Sequence, residues 1–149
     1  MINNKEFHRL MDLPKHFLEE SIQLPMPGDR SKPYTVYSNS TRDIFLLDTD
    51  RSSRITLNRS KIQERYLNEP ELLVRLEIDS KPHINPDGHK LSRNHIHIYR
   101  EGYGLSWAYD IIDLKQDLFN NITSFSNVFY DFCKYCNIDL SKTYIQEVI

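Results

Sequence analysis

Hydrophobic and polar positions follow two different periods along the chain. Between residues 4 and 20 the apolar residues recur at spacings near three and four, which is typical of a helix, and Pro14 is expected to divide this segment into two short helical pieces. From Tyr34 onward the period changes to two, which predicts strands. The predicted strands span residues 34–37, 44–48, 54–57, 62–67, 72–79, 95–101 and 105–111. Residues 114–135 return to the helical spacing and carry an aromatic stripe.

The order of these elements predicts the fold class. Short segments rich in turn-forming residues separate adjacent strands, which favours an antiparallel meander. We therefore expect an α+β fold with a curved antiparallel sheet of about six or seven strands. The N-terminal helical segment and a C-terminal helix should pack mainly on one face of this sheet. At this length, residues 1–149 are expected to form a single domain.

Composition and charge narrow the function classes only slightly. The chain is 39% hydrophobic and 27% charged, and its net charge of −2 gives no general reason to expect a nucleic acid or an acidic membrane. No apolar run reaches the roughly 18 residues that cross a bilayer, and the N-terminus lacks the order of a secretory signal. Cys133 and Cys136 do not form a disulfide framework and are expected to be small core residues. We expect a cytoplasmic protein with no membrane association and no cofactor.

The most informative stretch holds four of the six histidines within the fifteen residues from His83 to His97. His95 and His97 alternate with Ile96 and Ile98, so the two imidazoles should project from one face of a strand while the isoleucines fill the other. Imidazole titrates near neutral pH and binds metal ions readily. Two imidazoles on one strand face therefore form a candidate site.

The preceding predicted strand supplies further polar groups to the same face. If the apolar rows of residues 72–79 and 95–101 share the core, their polar rows share the opposite face. That face would carry Arg75, Glu77, Asp79, His95, His97, Tyr99 and Glu101. The loop between the two strands contains a turn at residues 85–88, so a hairpin is the natural connection.

A metal-independent ribonuclease is the first chemistry that fits this face. It needs a base for the 2′-hydroxyl proton, an acid for the leaving oxygen and a cation for the phosphate. The candidate catalytic residues are His95, His97, Glu77 (or Glu101) and Tyr99, and the candidate substrate-binding residues are Arg75 and Arg100.

Two other functions and one plain structural explanation fit the same residues. A metal site would join His95 and His97 with a third ligand such as His83, His89 or Asp79. A binding surface would use the groups only as hydrogen-bond and charge partners. A one-sided sheet also presents polar residues to water without any function.

Three arginines on successive predicted strands extend the RNA interpretation. If Arg54, Arg65 and Arg75 join the histidine face, the sheet has a basic surface that, with Tyr99, suits single-stranded RNA. The alternative is that these long side chains merely cover sheet edges.

Several motifs together resemble a known family. They are residues 72–79, Pro82-His83 with Asn85-Pro86-Asp87-Gly88, and residues 95–104 followed by Trp107-Ala108. With weaker matches at residues 45–48 and 134–136, the chain resembles a family of small uncharacterised proteins encoded by bacteria and their prophages. Because that family has no settled activity, the resemblance implies no catalytic residues. It does imply a mobile-element setting, where toxins, antitoxins and inhibitors of host defence are common.

These observations favour a mobile-element-type cytoplasmic protein that acts on RNA as a metal-independent ribonuclease-like toxin, with RNA or an antitoxin as partner. The first alternative is a non-enzymatic phage or prophage inhibitor that binds a host nuclease or CRISPR effector, anchored by Tyr99, Tyr103 and Arg75. The second alternative is a metal-dependent hydrolase.

Overall fold

The computed structural model describes residues 1–56, 58–114 and 116–147. Within these residues the helices are α1 (Asn4–Asp12) and α2 (Phe125–Tyr135), and a short 3₁₀ helix spans Ile111–Asp113. The strands are β1 (Lys15–Phe17), β2 (Ser21–Gln23), β3 (Tyr34–Ser38), β4 (Ile44–Asp50), β5 (Ser60–Tyr66), β6 (Glu71–Ile78), β7 (His95–Ile98), β8 (Ala108–Asp110), β9 (Ile138–Asp139) and β10 (Tyr144–Gln146).

Eight of the described strands form one open sheet in the order β8-β7-β6-β5-β4-β3-β1-β9. Its neighbours are antiparallel except for β1 and β9, which are parallel. The remaining two strands, β2 and β10, form a separate parallel pair. The run from β3 to β8 is a meander in chain order, as the short turns predict. The α+β prediction is confirmed, and β1 and β9 bring the sheet to eight strands.

Both helices contribute to one hydrophobic core on the same side of the sheet. α1 supplies Phe7 and Leu10, and α2 supplies Val128, Phe129 and Phe132. The sheet supplies alternate residues of its strands, namely Val36, Phe45, Leu47, Ile62, Val74, Leu76 and Ile96. Neither helix among the described residues is long and apolar enough to cross a membrane.

The N-terminal helical segment is shorter than its spacing predicts. α1 begins after Asn3, whose side chain accepts a hydrogen bond from the backbone N–H of Glu6, and it ends before Pro14. The second helical piece predicted after Pro14 is wrong, because β1 occupies this position and pairs with β3 and β9. The first and third residues of β1 are buried and the second is half-buried, so the local period is two.

A buried lysine connects the C-terminal ends of the two helices. The Nζ of Lys15 donates to the carbonyl of Met11, at 3.2 Å, and to that of Cys136, at 2.6 Å. The last carbonyls of a helix lack partners within the helix and carry partial negative charge, which stabilises an ammonium group there. On the same core face lies the fully buried Glu64, and neither of its carboxylate oxygens has a hydrogen-bond partner among the described residues. Burial raises the pKa of Glu64 to about 7, although the charge of Lys15 acts to lower it.

The strand predicted at residues 54–57 is wrong where the structure describes it. Residues 54–56 are irregular, and Leu57 lies outside the described residues. The backbone N–H of Thr56 donates to the side-chain oxygen of Ser53, a local bond that competes with strand pairing.

A bulge in β6 changes which leucine is buried. The register between β5 and β6 shifts between Glu64 and Arg65. Leu73 is therefore fully buried and Leu72, which the alternation places in the core row, is only half-buried. An inserted residue of this kind interrupts a period of two without leaving a sequence signal.

The C-terminal helix begins later than predicted. Residues 116–124 are irregular, Lys115 lies outside the described residues, and Ser124 caps α2 by accepting a hydrogen bond from the backbone N–H of Asn127. The helical spacing extends upstream of the cap, but there the side chain of Asn120 donates to that of Asp117 and the side chain of Thr123 to that of Asn121, and these residue types favour turns. Cys133 and Cys136 are fully buried, as predicted.

Candidate functional site

The hairpin of β6 and β7 positions the candidate site. Glu77 lies opposite His95, and Arg75 lies opposite His97. Because cross-strand partners project from the same face of a sheet, these four side chains lie together on the face opposite the core.

A carboxylate joins the two imidazoles. The Oε2 atom of Glu77 lies 2.9 Å from Nε2 of His95 and 3.2 Å from Nε2 of His97. The other oxygen, Oε1, lies 3.4 Å from Nε of Arg75. The side chain of His95 is fully buried and that of His97 is 3% exposed, whereas that of Glu77 is 22% exposed. We call these three residues the Glu77–His95–His97 cluster, and its carboxylate is the member that reaches the surface.

The remaining ring nitrogens of the cluster are bonded to the backbone. Nδ1 of His95 lies 2.8 Å from the carbonyl oxygen of Ser92, and Nδ1 of His97 lies 2.8 Å from that of Leu105. A carbonyl oxygen only accepts, so both Nδ1 atoms carry the proton and donate. Both rings are thereby held in one orientation, with Nε2 turned towards Glu77.

The charges within the cluster shift two pKa values in opposite directions. Burial alone would raise the pKa of Glu77, but the hydrogen bonds with His95 and His97 and the charge of Arg75 outweigh it and lower the pKa well below its ordinary value. Burial alone would lower the pKa of His95, but the bonds to Glu77 and to the Ser92 carbonyl raise it above 6.5. The cluster therefore favours a carboxylate facing positive charge.

The loop between β6 and β7 brings a third imidazole to the cluster. The ring centroid of His83 lies 4.6 Å from that of His97 and 5.8 Å from that of His95. Its Nε2 donates to the carbonyl of Ser106 at 2.8 Å. His83 is half-buried, whereas the other two rings are buried.

Asn85 holds this loop against the outer edge of β8. Its side-chain amide bonds to both the N–H and the carbonyl of Ala108, and Asn85 is buried. The turn that follows is closed by a 2.8 Å hydrogen bond from the N–H of Gly88 to the carbonyl of Asn85, with Gly88 at φ 88°. The sequence predicts this turn, but it does not reveal that Asn85 and His83 dock on the β8 side.

A cleft and a groove meet at the cluster. The cleft, of about 450 Å³, is lined among others by Arg75, Glu77, Lys81 and His83. The adjoining groove, of about 570 Å³, shares Glu77 and Lys81 with it. The groove cations are Arg54, Arg59, Lys61 and Lys81. Among the described residues, no carboxylate forms an ion pair with these four.

The position predicted for Tyr99 from its alternation with the histidines is wrong. β7 ends at Ile98, and Tyr99 turns into the core, where it is 4% exposed and its ring stacks on that of Phe7. Its hydroxyl donates to the carbonyl of Ile2. Tyr99 thus anchors the N-terminal segment and does not reach the cleft.

Arg100 and Glu101 also lie away from the cluster, contrary to their predicted roles. The Arg100 guanidinium lies 4.1 Å from the ring centroid of Trp107 and donates to the hydroxyl of Tyr109. Glu101 accepts a hydrogen bond from the backbone N–H of Asn4, at the start of α1. The end of β7 at Ile98 breaks the alternation that predicts Glu101 on the histidine face, whereas Arg100 alternates with that row.

Glu77, which is not among the predicted third ligands, is the carboxylate that lies within 4.8 Å of a ring nitrogen of both histidines. His89 is exposed, and Asp79 leaves β6 with a left-handed φ of 53°. Among the described residues, the potential ligand atoms of Glu77, His95 and His97 all lie within 4.8 Å of one another. The sequence signal for Glu77 is its place on the same predicted sheet face as His95 and His97.

The three predicted basic residues have different environments. Arg65 forms two hydrogen bonds with the carboxylate of Asp48, at 2.6 and 2.8 Å, which neutralise its charge. Arg54 reaches the groove from the irregular segment, and Arg75 lines the cleft. A basic surface therefore exists, but it lies beside the cluster and does not include Arg65.

The arrangement can perform two kinds of chemistry. The groove cations and Arg75 can bind an anion next to a half-buried imidazole. The cluster can hold a cation, because it gathers two ring nitrogens and a carboxylate oxygen at one point.

Comparisons with known proteins place the chain in a family without a known activity. Comparisons with curated proteins and with solved structures give no match. Residues 2–138, most of the chain, match a family described as a family of unknown function, DUF6978. The chain therefore belongs to the DUF6978 family.

Proposed function

We propose that the protein cleaves RNA in the cleft beside the Glu77–His95–His97 cluster. The observation that carries the proposal is the meeting of the groove cations with three imidazoles at Glu77 and Lys81. An RNA backbone is a line of negative charges, and a groove with four cations and two carboxylates, Asp50 and Glu77, keeps an excess of positive charge suited to bind it.

The charge of the groove is local. The whole chain has a net charge of −2, so a general excess of basic residues does not explain four cations in one groove. Lys61 lies directly opposite Glu77 on the neighbouring strand, which brings the groove to the cluster. In this proposal the backbone of the substrate follows the groove, and one phosphate lies in the cleft.

His83 is the proton-transferring group of the proposal. RNA contains its own nucleophile, the 2′-hydroxyl. Nδ1 of His83 would take the proton of this hydroxyl as the 2′-oxygen bonds to phosphorus and the bond from phosphorus to the 5′-oxygen breaks, and the leaving 5′-oxygen would take a proton from water. His83 is the least buried of the three imidazoles, and its Nδ1 is the available nitrogen because Nε2 bonds to Ser106. Arg75 and Lys81 line the same cleft and would stabilise the phosphate.

His95 and His97 have a supporting role here, in place of direct acid–base catalysis. Each donates Nδ1–H to a backbone carbonyl and turns Nε2 towards Glu77. Neither ring therefore offers a nitrogen to a substrate hydroxyl. Tyr99 and Arg100 have no part in the proposed reaction, because both lie outside the cleft.

The proposed substrate is RNA, bound through its phosphates with little sequence preference. No aromatic side chain is among the described residues that line the groove, so bases have no ring on which to stack. Contacts to phosphates position a nucleic acid without reading its sequence. Such a cytoplasmic activity would act as a toxin, which is consistent with the proposed bacterial or prophage setting and with an antitoxin as partner.

The test is cleavage of a labelled mixed-sequence RNA by the purified protein, with DNA of the same sequence in parallel. We expect the native protein to cleave RNA but not DNA, and His83→Ala to be slower by about 100-fold. Lys5→Gln, which removes an exposed charge from α1, is the control and should match the native protein. Intact RNA after incubation with the native protein, or undiminished cleavage by His83→Ala, would contradict the proposal.

One observation favours a second candidate, a non-enzymatic inhibitor of a host nuclease or CRISPR effector. Four large apolar side chains around β8 are exposed, namely Ile84, Tyr103, Tyr109 and Ile112. Exposed aromatic side chains commonly anchor protein interfaces. For this function, Tyr103→Ala and Tyr109→Ala should abolish capture of the partner while His83→Ala preserves it. The reverse result would remove this candidate.

A further inference from the structure

We infer that Glu77, His95 and His97 bind a divalent first-row transition-metal ion. The ion would lie at the point where Oε2 of Glu77 meets Nε2 of each histidine. This inference adds a ligand to the site of the proposed function, but it can be tested without any RNA.

The hydrogen-bond inventory of the cluster is the first argument. Because both Nδ1 atoms donate to carbonyls, each neutral ring presents a lone pair at Nε2. With both rings neutral, two lone pairs and a carboxylate oxygen all accept, so three acceptors face one another. If a proton bridged each contact between Nε2 and Oε2 of Glu77, both rings would have to be imidazolium ions. Two like charges would then be buried with their ring centroids 4.9 Å apart, which is costly. One divalent ion satisfies all three acceptors.

The second argument is the geometry of the ligand atoms. Ligands at about 2.0–2.2 Å from a common ion, separated by angles between octahedral and tetrahedral, lie roughly 2.9–3.4 Å from one another. The two separations between Nε2 and Oε2 are 2.9 and 3.2 Å. These two separations are those of a metal shell, and all three ligand atoms lie within 4.8 Å of one another.

The backbone contacts are the third argument. Histidines that bind metals usually donate their other ring N–H to a carbonyl or carboxylate, which fixes the ring orientation. Both histidines do so, to Ser92 and to Leu105. Both of these carbonyls belong to segments flanking β7, so the shape of the fold holds the rings in advance.

The ligand set selects the class of ion. Two imidazole nitrogens and one carboxylate oxygen suit Zn²⁺, Fe²⁺, Co²⁺ or Mn²⁺, and the set contains no thiolate that would favour Cu⁺. Three protein ligands leave a position for water or substrate, as in catalytic zinc sites. Glu77 lines the cleft, so an ion bound to it would lie beside the proposed phosphate position. Such an ion supplies charge to a phosphoryl oxygen or lowers the pKa of a bound water.

The test is isothermal titration of the full chain, without an affinity tag and after removal of metals by a chelator, with ZnCl₂ at pH 7. We expect one equivalent of Zn²⁺ to bind. Glu77→Gln keeps the size of the side chain, and its amide can donate to one Nε2, so circular dichroism should be unchanged. Removing a charged ligand should weaken the affinity by on the order of 100-fold. His89→Ala removes an exposed histidine outside the cluster and should bind as the native chain does.

A measurement on the native protein covers the case in which Glu77→Gln does not fold. One equivalent of Zn²⁺ should shift the Nε2 resonances of His95 and His97 in a nitrogen-15 spectrum of the imidazoles, and those of His8, His16 and His89 should stay in place. Equal affinity in Glu77→Gln, loss of binding in His89→Ala, or unshifted His95 and His97 resonances would each overturn the inference. Zinc binding without RNA cleavage would uphold the metal site and contradict the proposed function. RNA cleavage by a chain that binds no metal would uphold the proposed function and contradict the metal site.

Discussion

The side-chain amide of Asn85 bonds to both backbone polar groups of Ala108. Its Oδ1 accepts from the N–H and its Nδ2 donates to the carbonyl, each at 2.9 Å. These are the groups through which another strand would pair, so the loop closes this part of the edge of β8. The same loop carries His83, whose ring lies beside that of His97. The closing of the β8 edge and the position of the His83 ring therefore both depend on the side chain of Asn85.

Asn85→Ala should destabilise the protein and displace His83. It leaves the N–H and carbonyl of Ala108 without their buried partner, which costs about 1–3 kcal/mol of unfolding free energy. Urea denaturation measures the loss, and Asn58→Ala, at an exposed asparagine, should cost less than about 0.5 kcal/mol. We also expect slower RNA cleavage but unchanged zinc affinity. Equal stability of the two variants would show that the amide does not hold the loop.

Tyr99→Phe separates a core role from a catalytic one. The substitution removes the hydrogen bond to the carbonyl of Ile2 but keeps the ring that stacks on Phe7. We expect a loss of about 0.5–1.5 kcal/mol in thermal or chemical denaturation and no change in RNA cleavage. A large loss of activity in a variant of near-native stability would show that Tyr99 does take part in the reaction.

The buried Glu64 makes the stability depend on pH. Its pKa is about 7 in the folded protein and near 4.5 when unfolded, so the folded state binds this proton more tightly. The contribution of Glu64 is therefore most favourable below about pH 4.5, falls as the pH rises to about 7 and is constant above that. The total change is about 3 kcal/mol.

Glu64→Gln should remove this dependence because the amide stays neutral. The quantity to measure is the difference in unfolding free energy between Glu64→Gln and the native chain at pH values from 4.5 to 8. We expect that difference to move in favour of the variant as the pH rises, and to level off above about pH 7. A difference that does not change with pH would contradict the account of this carboxyl group.

Lys61 should contribute to RNA affinity through its charge. In a salt titration of RNA binding, Lys61→Gln should reduce the slope of log K against log salt by about 0.7, the value for one contact with a single-stranded phosphate. Lys5→Gln makes the same charge change outside the groove and should keep the native slope. If both variants shift the slope equally, the groove is not the path of the backbone.

The sequence predicts those parts of the fold in which one spacing of apolar residues continues over several residues. The meander and the shared face of Glu77 and His95 follow from strict alternation on two strands joined by one loop. The prediction fails where the alternation stops without a sequence signal. The bulge that buries Leu73 and the turn of Tyr99 into the core are both of this kind.

The rest of the site depends on contacts between distant residues, which the period of hydrophobic and polar positions does not predict. His83 reaches the cluster because Asn85 docks on Ala108, twenty-three residues away in the chain. Lys15 falls within the segment whose spacing predicts a helix, but in the fold it bonds to the ends of two helices. Such placements are decided by tertiary packing, which overrides local preference.

We propose above all that Glu77, His95 and His97 are assembled to hold a ligand and are not merely a polar part of a sheet. The most direct test is anomalous diffraction from crystals of the native chain grown with ZnCl₂. We expect a zinc peak about 2.0–2.2 Å from Nε2 of both histidines and from a Glu77 oxygen. Zinc peaks only at exposed histidines such as His8 or His89, with none at the cluster, would contradict it.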